Sequence, residues 1–276
     1  MRKTTAPRLP VLFISHGGGP WPYVEELRAA YANTQSVLRR LPGRFHSQPK
    51  AVLMISGHWE APKFSVATGA RPPMEYDYSG FPPHTYKIRY AAPGDPDLAR
   101  HARRLLTDAG IESAVDPDRG FDHGVFVPMG LMYPLADVPI VMVSVQSGYD
   151  PAQHLALGRA LAPLRDEGVL IVGSGLTYHN MRGFGLDSST RDAELFTGYL
   201  NEVIALEDVQ ARDEKLRNWQ SAPRARLAHP REDHLMPLLV VAGAASNDTG
   251  SVLFADTVMK IPMTSYVFGE IKVEIE

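Results

Sequence analysis

Short apolar runs alternate along the chain with segments whose apolar residues recur at the spacing of a helix. The short runs are rich in Val, Ile, Leu and Met and are bounded by Gly or Pro, which is typical of strands buried on both faces of a sheet. This pattern predicts one or two closing strands between Leu253 and Ile275, and earlier strands at Pro10–Ser15, Ala51–Ser56, Lys63–Thr68, Pro139–Gln146 and Val169–Gly173.

The segments between these strands carry the signals of helices. Pro96–Gly110 and Pro151–Gly168 each begin at a proline and end at a glycine, as helices commonly do. Thr190–Leu206 is helical by its period, and His234–Ala245 is apolar on every side, which indicates a buried helix. Without a visible repeat or linker, the alternation predicts a single α/β domain over residues 1–276, with a central, mostly parallel sheet flanked by helices.

Composition excludes several classes of protein and site. The chain carries 28 Lys and Arg against 31 Asp and Glu, and the resulting charge of -3 favours neither nucleic acid nor an anionic membrane as a partner. The absence of cysteine excludes disulfides, thiolate nucleophiles and cysteine-based zinc sites. Because no apolar span reaches membrane length and the first apolar run is too short for a signal peptide, the sequence predicts a cytoplasmic protein.

The first predicted strand ends in His16 and three consecutive glycines, Gly17 to Gly19. Glycines let the backbone turn with positive φ and let another group approach closely. Three interpretations compete: a phosphate-binding loop, the oxyanion loop of esterases, and a turn that presents His16 as a metal ligand. If the turn clears space beside the ligand, we expect Gly18 to be sensitive to substitution by valine.

Two of these interpretations fail on motif spacing. The glycine patterns of phosphate-binding loops do not occur here. An esterase requires a Gly-x-Ser-x-Gly nucleophile elbow later in the chain, and the segment around Ser174 has Val172 where the first glycine should stand. The ligand interpretation is left, and imidazoles without thiolates suit Zn(II), Fe(II), Cu or Ni.

The positions of other histidines support a common site. His16, His58 and His179 each follow a predicted strand, and ligands in open α/β sheets bind at the carboxyl ends of strands. His123 and His234 stand at the starts of further elements, and small residues surround most of the five. A lone histidine is more often a hydrogen-bonded core or loop residue, but five in such settings favour a site.

The remaining histidines mostly lack small neighbours, and they are His46, His84, His101, His154 and His229. We expect His101 and His154, which fall within predicted helices, to lie on the surface. His229 stays a candidate because it lies five residues before His234.

Six motifs now carry a family resemblance. "HGGGP", "SGHWE", "YDYSGFPPHTYKIRYAAPGDP", "DHGVFVPMGLMYP", "GSGLTYHN" and "HPREDHLMPLL" follow one another from His16 almost to the C-terminus. Together they resemble the type III extradiol ring-cleaving dioxygenases, in the DOPA 4,5-dioxygenase-like branch. The resemblance implies an α/β fold around a central sheet and one non-haem Fe(II) or Zn(II) ion per chain, held in a cleft at the strand ends.

The resemblance also implies roles for the five histidines. His16 and His58 are similar to the two metal-binding histidines of the family. His234 stands where many relatives have a metal-binding glutamate. His179 resembles the residue that exchanges protons with the substrate, which in some members is counted on the metal itself. His123 resembles the residue on the oxygen and substrate side, where it would hydrogen-bond to a reacting oxygen.

The histidine at position 234 changes the expected charge of the site. The usual Fe(II) oxygenase site has two histidines and one carboxylate, so a site of three histidines carries one more positive charge. Glu232 or Asp233 could restore a carboxylate, although only one of them can face the metal alongside His234. We expect Fe(II) to be the native metal and Zn(II) to be bound in the purified protein.

The implied reaction is the extradiol cleavage of a small aromatic diol, such as DOPA or another catechol, by O₂ to a semialdehyde. A neutral His179 would take a proton from the diol. Trp59, Tyr178 and Phe126 adjoin the histidines in sequence and are candidates to line a flat slot for the ring, with a place in the core as the equal alternative for all three.

Two other functions fit the same residues. A zinc-dependent hydrolase would use the same histidines with water in place of O₂, and a non-enzymatic binding protein could share the fold. The sequence leaves the identity of the diol and any homo-oligomeric state open.

Overall fold

A computed structural model describes residues 8–273 of the chain, and its strands form one sheet. The strands are β1 (Val11–Ser15), β2 (Ala51–Ala61), β3 (Phe64–Ala67), β4 (Ser113–Asp116), β5 (Ile140–Gln146), β6 (Val169–Gly175), β7 (Gly250–Val258) and β8 (Ile261–Phe268). Their order across the sheet is β4-β3-β5-β2-β6-β1-β8-β7. The central strands β5, β2, β6 and β1 are parallel, while β8 and β7 add an antiparallel edge. The predicted α/β class with a mostly parallel sheet is confirmed.

Helices cover both faces of this sheet. They are α1 (Glu25–Arg28), α2 (Ala32–Arg40), α3 (Pro96–Asp108), α4 (His123–Met132), α5 (Pro151–Leu161), α6 (Asp187–Ile204), α7 (Val209–Arg217), α8 (Ala225–Ala228) and α9 (Met236–Ala245). None of the helices within residues 8–273 combines the length and apolar composition that a membrane span requires.

The apolar residues of the sheet divide between two cores. Helices α3, α5, α6 and α9 pack on one face of the sheet, against the strand side chains that point to that face. Helices α2 and α4 and the long connection between β3 and α3 pack on the other. Every residue of α9 is buried, as its uniform apolarity predicts, and this helix contacts β6, β1 and β2.

The structure shifts several predicted boundaries. Strand β2 continues to Ala61 instead of ending at Ser56, because a register shift between Ser56 and Glu60 lets its pairing with β5 resume after an irregular stretch. The closing strands are β7 and β8, and the end of the predicted tail, at Ile275, lies outside the described residues. The elements that were not predicted are the helices α1, α2, α4, α7 and α8 and the short strand β4.

The prediction that His154 lies on the surface is wrong. Its side chain is fully buried in α5, against the ring of Phe64. The Nδ1 atom donates to the carbonyl of Asp150 at 2.7 Å, and Nε2 accepts from the backbone N–H of Gln146 at 3.2 Å. A neutral ring satisfies both partners, and burial lowers the pKa of His154 to about 4.

This buried histidine predicts a pH dependence of stability. The ordinary pKa of histidine is 6.5, and that of folded His154 is about 4. Between these pH values the ring is protonated in the unfolded chain and neutral in the folded one. The free energy of unfolding therefore falls as the pH falls. Integrated from pH 7.5 to pH 5, this amounts to about 2 kcal/mol. We expect urea unfolding at the two pH values to show this loss in the parent protein and a correspondingly smaller loss in His154→Gln.

The exposed His46 supplies the matched control. His46→Gln should keep the parent's pH dependence, because the surroundings of this exposed side chain change little on unfolding. Equal pH dependence in the parent and His154→Gln would show that His154 does not resist protonation.

Candidate metal centre

The order of the central strands explains why distant histidines meet. Strand β6 lies between β1 and β2, with Ile14 opposite Ser174 and Ile55 opposite Gly173. The three strands are parallel, so their carboxyl ends share one edge of the sheet. His16 follows β1 directly and His58 lies in the last part of β2.

Backbone hydrogen bonds bring two further histidines to the same edge. The N–H of Leu176, just after β6, donates to the carbonyl of His234 at 3.1 Å. The N–H of His179 donates to the carbonyl of Ala228 at 2.9 Å. The segment before α9 is thereby tied to the end of β6. His123 arrives separately, as the first residue of α4.

Three imidazole nitrogens converge on one point. The Nε2 atom of His58 lies 3.1 Å from that of His16 and 3.0 Å from that of His234. Nitrogens bound to one metal at ~2.0–2.1 Å are separated by about 3.0 Å at right angles and by about 3.3 Å in a tetrahedron. Both distances from His58 therefore fit pairs of ligands on one ion.

The proton on His16 is placed by its neighbours. The Ser174 hydroxyl donates to the carbonyl of Gly124 at 2.5 Å, so its oxygen is free to accept. The Nδ1 atom of His16 lies 2.8 Å from that oxygen and is the donor. The lone pair of His16 is therefore on Nε2, toward the other two rings.

A carboxylate lies behind His58 and another behind His234, where the Ser174 hydroxyl lies behind His16. Asp77 places Oδ2 at 3.1 Å from Nδ1 of His58. Asp233 places Oδ2 at 3.2 Å from Nδ1 of His234, an ion-pair contact without the alignment of a hydrogen bond. An oxygen at Nδ1 is the usual outer partner of a metal-binding histidine, because it fixes the ring and its tautomer.

Burial keeps the converging rings neutral. Burial, followed by repulsion from the neighbouring histidines, lowers the pKa of His16 and of His58 well below 6.5. Burial also lowers the pKa of His234 to about 4, against the opposing effect of Asp233. Burial alone would raise the pKa of Asp233, but its contacts with His179 and His234 hold that pKa well below its usual range. Three lone pairs and an ionised carboxylate are available at neutral pH.

The other two predicted histidines stand beside this trio. The ring of His179 stacks on that of His234 with centroids 3.4 Å apart, and its Nδ1 lies 3.3 Å from Asp233 Oδ1. The ring centroid of His123 is 4.0 Å from that of His58. Ligand atoms of His16, His58 and His123 lie within 4.8 Å of one another, and so do those of His179, Asp233 and His234.

Asp77 is the residue of this centre to which the sequence analysis assigned no role. It lies in the "YDYSGFPPH" segment, which carried the family resemblance but has no helical or strand period. The side chain is only 14% exposed and reaches His123 as well as His58. The sequence signal that could have identified Asp77 is its acidic side chain within one of the six motifs that carry the family resemblance.

The two remaining candidates, Glu232 and His229, do not lie among the three converging rings. Glu232 points to Arg226, with which it forms an ion pair at 2.6 Å. His229 is buried and donates from Nε2 to the carbonyl of Thr177 at 3.1 Å, beside the ring of Phe196. Burial lowers the pKa of His229 to about 3.

The aromatic candidates for the substrate slot lie mostly in the cores. Trp59 is buried under the guanidinium of Arg119, 5.2 Å from the ring centroid. Tyr178 is 1% exposed and packs against Phe184, in the core that contains α6. Phe126 is fully buried in α4. The structure does not bring Trp59 and Tyr178 to His123.

Another aromatic group lies beside His123 instead. The Tyr78 ring is 6.0 Å from the His123 ring, and Phe126 packs behind Tyr78 at 6.3 Å. Phe81 and Tyr86 flank Tyr78 at 5.4 and 5.3 Å. The Tyr78 hydroxyl donates to the carbonyl of Thr85, so the ring is anchored within its own loop.

The glycines after His16 differ in what they require. Gly17 and Gly19 have φ of +83° and +56°, a region that favours glycine. A Cβ on Gly19 would also lie 2.5 Å from Cζ of Phe81. A Cβ on Gly18 would meet only the Tyr31 hydroxyl, at 3.6 Å. Backbone strain therefore falls on Gly17 and Gly19, whereas Gly18 has room for a Cβ within the protein itself. The expected sensitivity of Gly18 to valine, through a clash with substrate or with the orientation of His16, stays a prediction.

Gly19→Ala should therefore harm the protein more than Gly18→Ala. We expect the Gly19 variant to lose about 1–3 kcal/mol of stability, because alanine is strained at positive φ. Displacement of Phe81 should also raise KM. Urea unfolding and steady-state kinetics on both variants test this, and equal effects at the two positions would refute the assignment.

Comparisons with known proteins agree with this geometry. The family model of the catalytic LigB subunit of aromatic ring-opening dioxygenases matches residues 10–269. A dioxygenase of Hapsidospora irregularis named tasH is 37% identical over 96% of this chain and 87% of its own length.

Two relatives carry a more specific name. The 4,5-DOPA dioxygenase extradiol of Beta vulgaris is 39% identical over 87% of this chain and 88% of its own. The protein of the same name from Escherichia coli K12 is 34% identical over 86% of this chain and 85% of its own.

A solved structure shares the fold. The crystal structure of an uncharacterised protein from Escherichia coli K12 superposes with a TM-score of 0.77 at 29% identity, covering 95% of this chain and all of that one. The family match over nearly the whole described chain confirms the resemblance found in the motifs. The chain therefore belongs to the LigB family of the type III extradiol dioxygenases, metal-dependent enzymes that open aromatic rings with O₂.

Proposed function

We propose that this enzyme cleaves the ring of a catechol beside one of its two hydroxyl groups and releases a semialdehyde. The observation that carries the proposal is the convergence of the Nε2 atoms of His16, His58 and His234 within 3.0–3.1 Å contacts. Both atoms of O₂ enter the product, so the reaction requires no external reductant. The family supplies the reaction class, and the catechol is our inference from the site.

We propose Fe(II) as the native metal, held by His16, His58 and His234. Zn(II) fits a site of three histidines but has no redox chemistry, and cleavage by O₂ needs a metal that can exchange electrons. When bound, the metal supplies Lewis acidity toward the diol oxygens and a path for electrons to O₂. The three neutral rings leave the full charge of the ion to attract a deprotonated diol.

His179 is the proposed acceptor of a diol proton. With its Nδ1 directed at Asp233, the Nε2 atom of a neutral ring has a free lone pair. The side chain is 19% exposed, so the proton can exchange with solvent. The same ring can return the proton later in the reaction, as a general base and acid does.

His123 and the aromatic group beside it are proposed to hold the ring of the substrate. His123 would hydrogen-bond to an oxygen of the substrate from the side opposite His179. Tyr78 offers an aromatic surface next to His123, and Phe126 supports it from behind. Aromatic faces and edges favour a flat ring at such distances.

DOPA is the first substrate to test, because the relatives from Beta vulgaris and Escherichia coli are named for it. The experiment loads metal-free protein with Fe(II) under anaerobic conditions, adds one of a small panel of catechols that includes DOPA, and then admits O₂. We expect consumption of one O₂ per catechol and a yellow product.

Zinc-loaded protein is the control, and it should be inactive. Cleavage of esters or amides by the zinc form without O₂ would favour a hydrolase. Tight binding of a catechol without turnover in the iron form would favour a non-enzymatic binding protein.

A further inference from the structure

One carboxylate joins a metal-binding ring to an outer ring on the His123 side. The Oδ2 atom of Asp77 lies 2.8 Å from Nδ1 of His123 and 3.1 Å from Nδ1 of His58. The Oδ1 atom accepts the backbone N–H of His123 at 3.0 Å. Both Nδ1 atoms therefore face the same acceptor.

Asp77 reaches this position because its loop is pinned to the start of α4. The N–H of Glu75 donates to the carbonyl of Phe121 at 2.9 Å, and the N–H of Phe121 donates to the carbonyl of Pro73 at 2.8 Å. Arg119 adds an ion pair with Glu75 at 2.6 Å. The loop and the helix thus hold Asp77 and His123 in one rigid unit.

A second carboxylate makes the corresponding connection on the other side. The Oδ1 atom of Asp233 lies 3.3 Å from Nδ1 of His179 and accepts the backbone N–H of His234 at 2.9 Å. The Oδ2 atom lies 3.2 Å from Nδ1 of His234. Each carboxylate thus contacts one metal-binding ring, one outer ring and the backbone N–H of a histidine.

We infer that Asp77 and Asp233 are paired positioning residues, which hold His123 and His179 with the proton on Nδ1 and the lone pair on Nε2. Under the proposed function, on which this inference rests, the two outer rings then face the diol as two acceptors. His123 cannot donate a hydrogen bond to a substrate oxygen until it has first taken a proton. Each hydroxyl of the diol has its own acceptor, and each acceptor is coupled through one carboxylate to a metal ligand.

Asp77→Asn is expected to move the ring proton from Nδ1 to Nε2 in both His58 and His123. The backbone N–H of His123 requires an acceptor, so the amide oxygen takes the place of Oδ1. The amide NH₂ then takes the place of Oδ2 and donates to the Nδ1 atoms of His58 and His123. His123 is left with its proton on Nε2. The same tautomer of His58 would carry a proton on Nε2, the atom that faces His16 and His234, and would so compete with the metal.

Asp233→Asn is expected to affect the ring of His234 and to leave that of His179 unchanged. The backbone N–H of His234 again fixes the amide oxygen at the Oδ1 position, where it still accepts from Nδ1 of His179. The NH₂ faces Nδ1 of His234. Metal binding should weaken while His179 keeps its tautomer.

The test reads the ring protons by ¹⁵N NMR of histidine-labelled, zinc-loaded protein, with peaks assigned through His123→Gln and His179→Gln. In the parent protein we expect both outer rings to carry the proton on Nδ1. In Asp77→Asn, His123 should change to Nε2–H, and in Asp233→Asn, His179 should not change. Metal affinity, measured by competition with a chelator, should fall about 10–100-fold in each variant.

Asp108→Asn, at the exposed end of α3, is the matched control and should change neither readout. A parent spectrum with the proton on Nε2 of His123 or His179 would overturn the inference without any variant. So would an Asp77→Asn protein with parent metal affinity and His123 still protonated on Nδ1. Because both readouts are made on the zinc form without turnover, they remain valid whether or not the iron form cleaves catechols.

Discussion

Replacing His16 by alanine is expected to remove the metal and abolish ring cleavage. The Nε2 atom of His16 lies 3.1 Å from that of His58, which is in turn 3.0 Å from that of His234, and the His16 side chain is only 1% exposed. Loss of the metal removes its stabilisation of the developing charge, which is worth several kcal/mol. Activity should fall by about 10³-fold or more, since each ~1.4 kcal/mol is a factor of ten.

The folded state should survive this change. Ser174 keeps its hydrogen bond to the carbonyl of Gly124, so the hydroxyl behind the lost ring is not left without a partner. The iron content per chain after dialysis, the melting temperature and turnover on one preparation separate metal loss from unfolding. His46→Ala, a change at an exposed histidine, should leave all three unchanged. A His16→Ala protein that retains one iron per chain would exclude His16 as a ligand.

His179→Ala should give the opposite combination, with metal retained and catalysis lost. His179 stacks on His234 and contacts Asp233 but lies outside the trio of converging nitrogens. If it accepts the diol proton, kcat should fall by roughly 10²–10⁴-fold. KM should change little, because the metal still binds the diol.

Three measurements decide this prediction: metal content after dialysis, kcat, and KM for the best catechol of the panel. His84→Ala is a suitable control, since this histidine is exposed and its Nε2 hydrogen-bonds to the Tyr23 carbonyl. Loss of metal from His179→Ala on dialysis would make His179 a fourth ligand. Unchanged kcat with full metal content would exclude it as the proton acceptor.

The order of elements was predictable because each strand is a short apolar run with its own boundaries. The boundaries themselves were less so. Strand β2 passes through His58 to Ala61 because neighbouring β5 offers new pairing partners beyond the irregular stretch, and no local residue signals this. The fully buried His154 was missed for a similar reason, since its partners are backbone groups of its own loop and of the end of β5.

The aromatic candidates show that adjacency in sequence does not fix where a side chain lies. Trp59 follows His58 on the same strand, and successive side chains of a strand point to opposite faces. Trp59 therefore packs under Arg119 while His58 reaches the metal centre. Tyr78 lies far from every histidine of the trio in sequence, and only the folded loop brings it to His123.

The sequence by itself determined the α/β class and singled out five histidines whose rings the structure brings together, His16, His58, His123, His179 and His234. Apolar periodicity and the small residues around a functional side chain are local properties, so they can be read from neighbouring letters. Only the tertiary structure decided which of these rings face one another and which carboxylates lie behind them. Asp77 is 46 residues from His123, and Asp233 is 54 residues from His179. Contacts over such separations depend on strand order and loop packing, which no local pattern records.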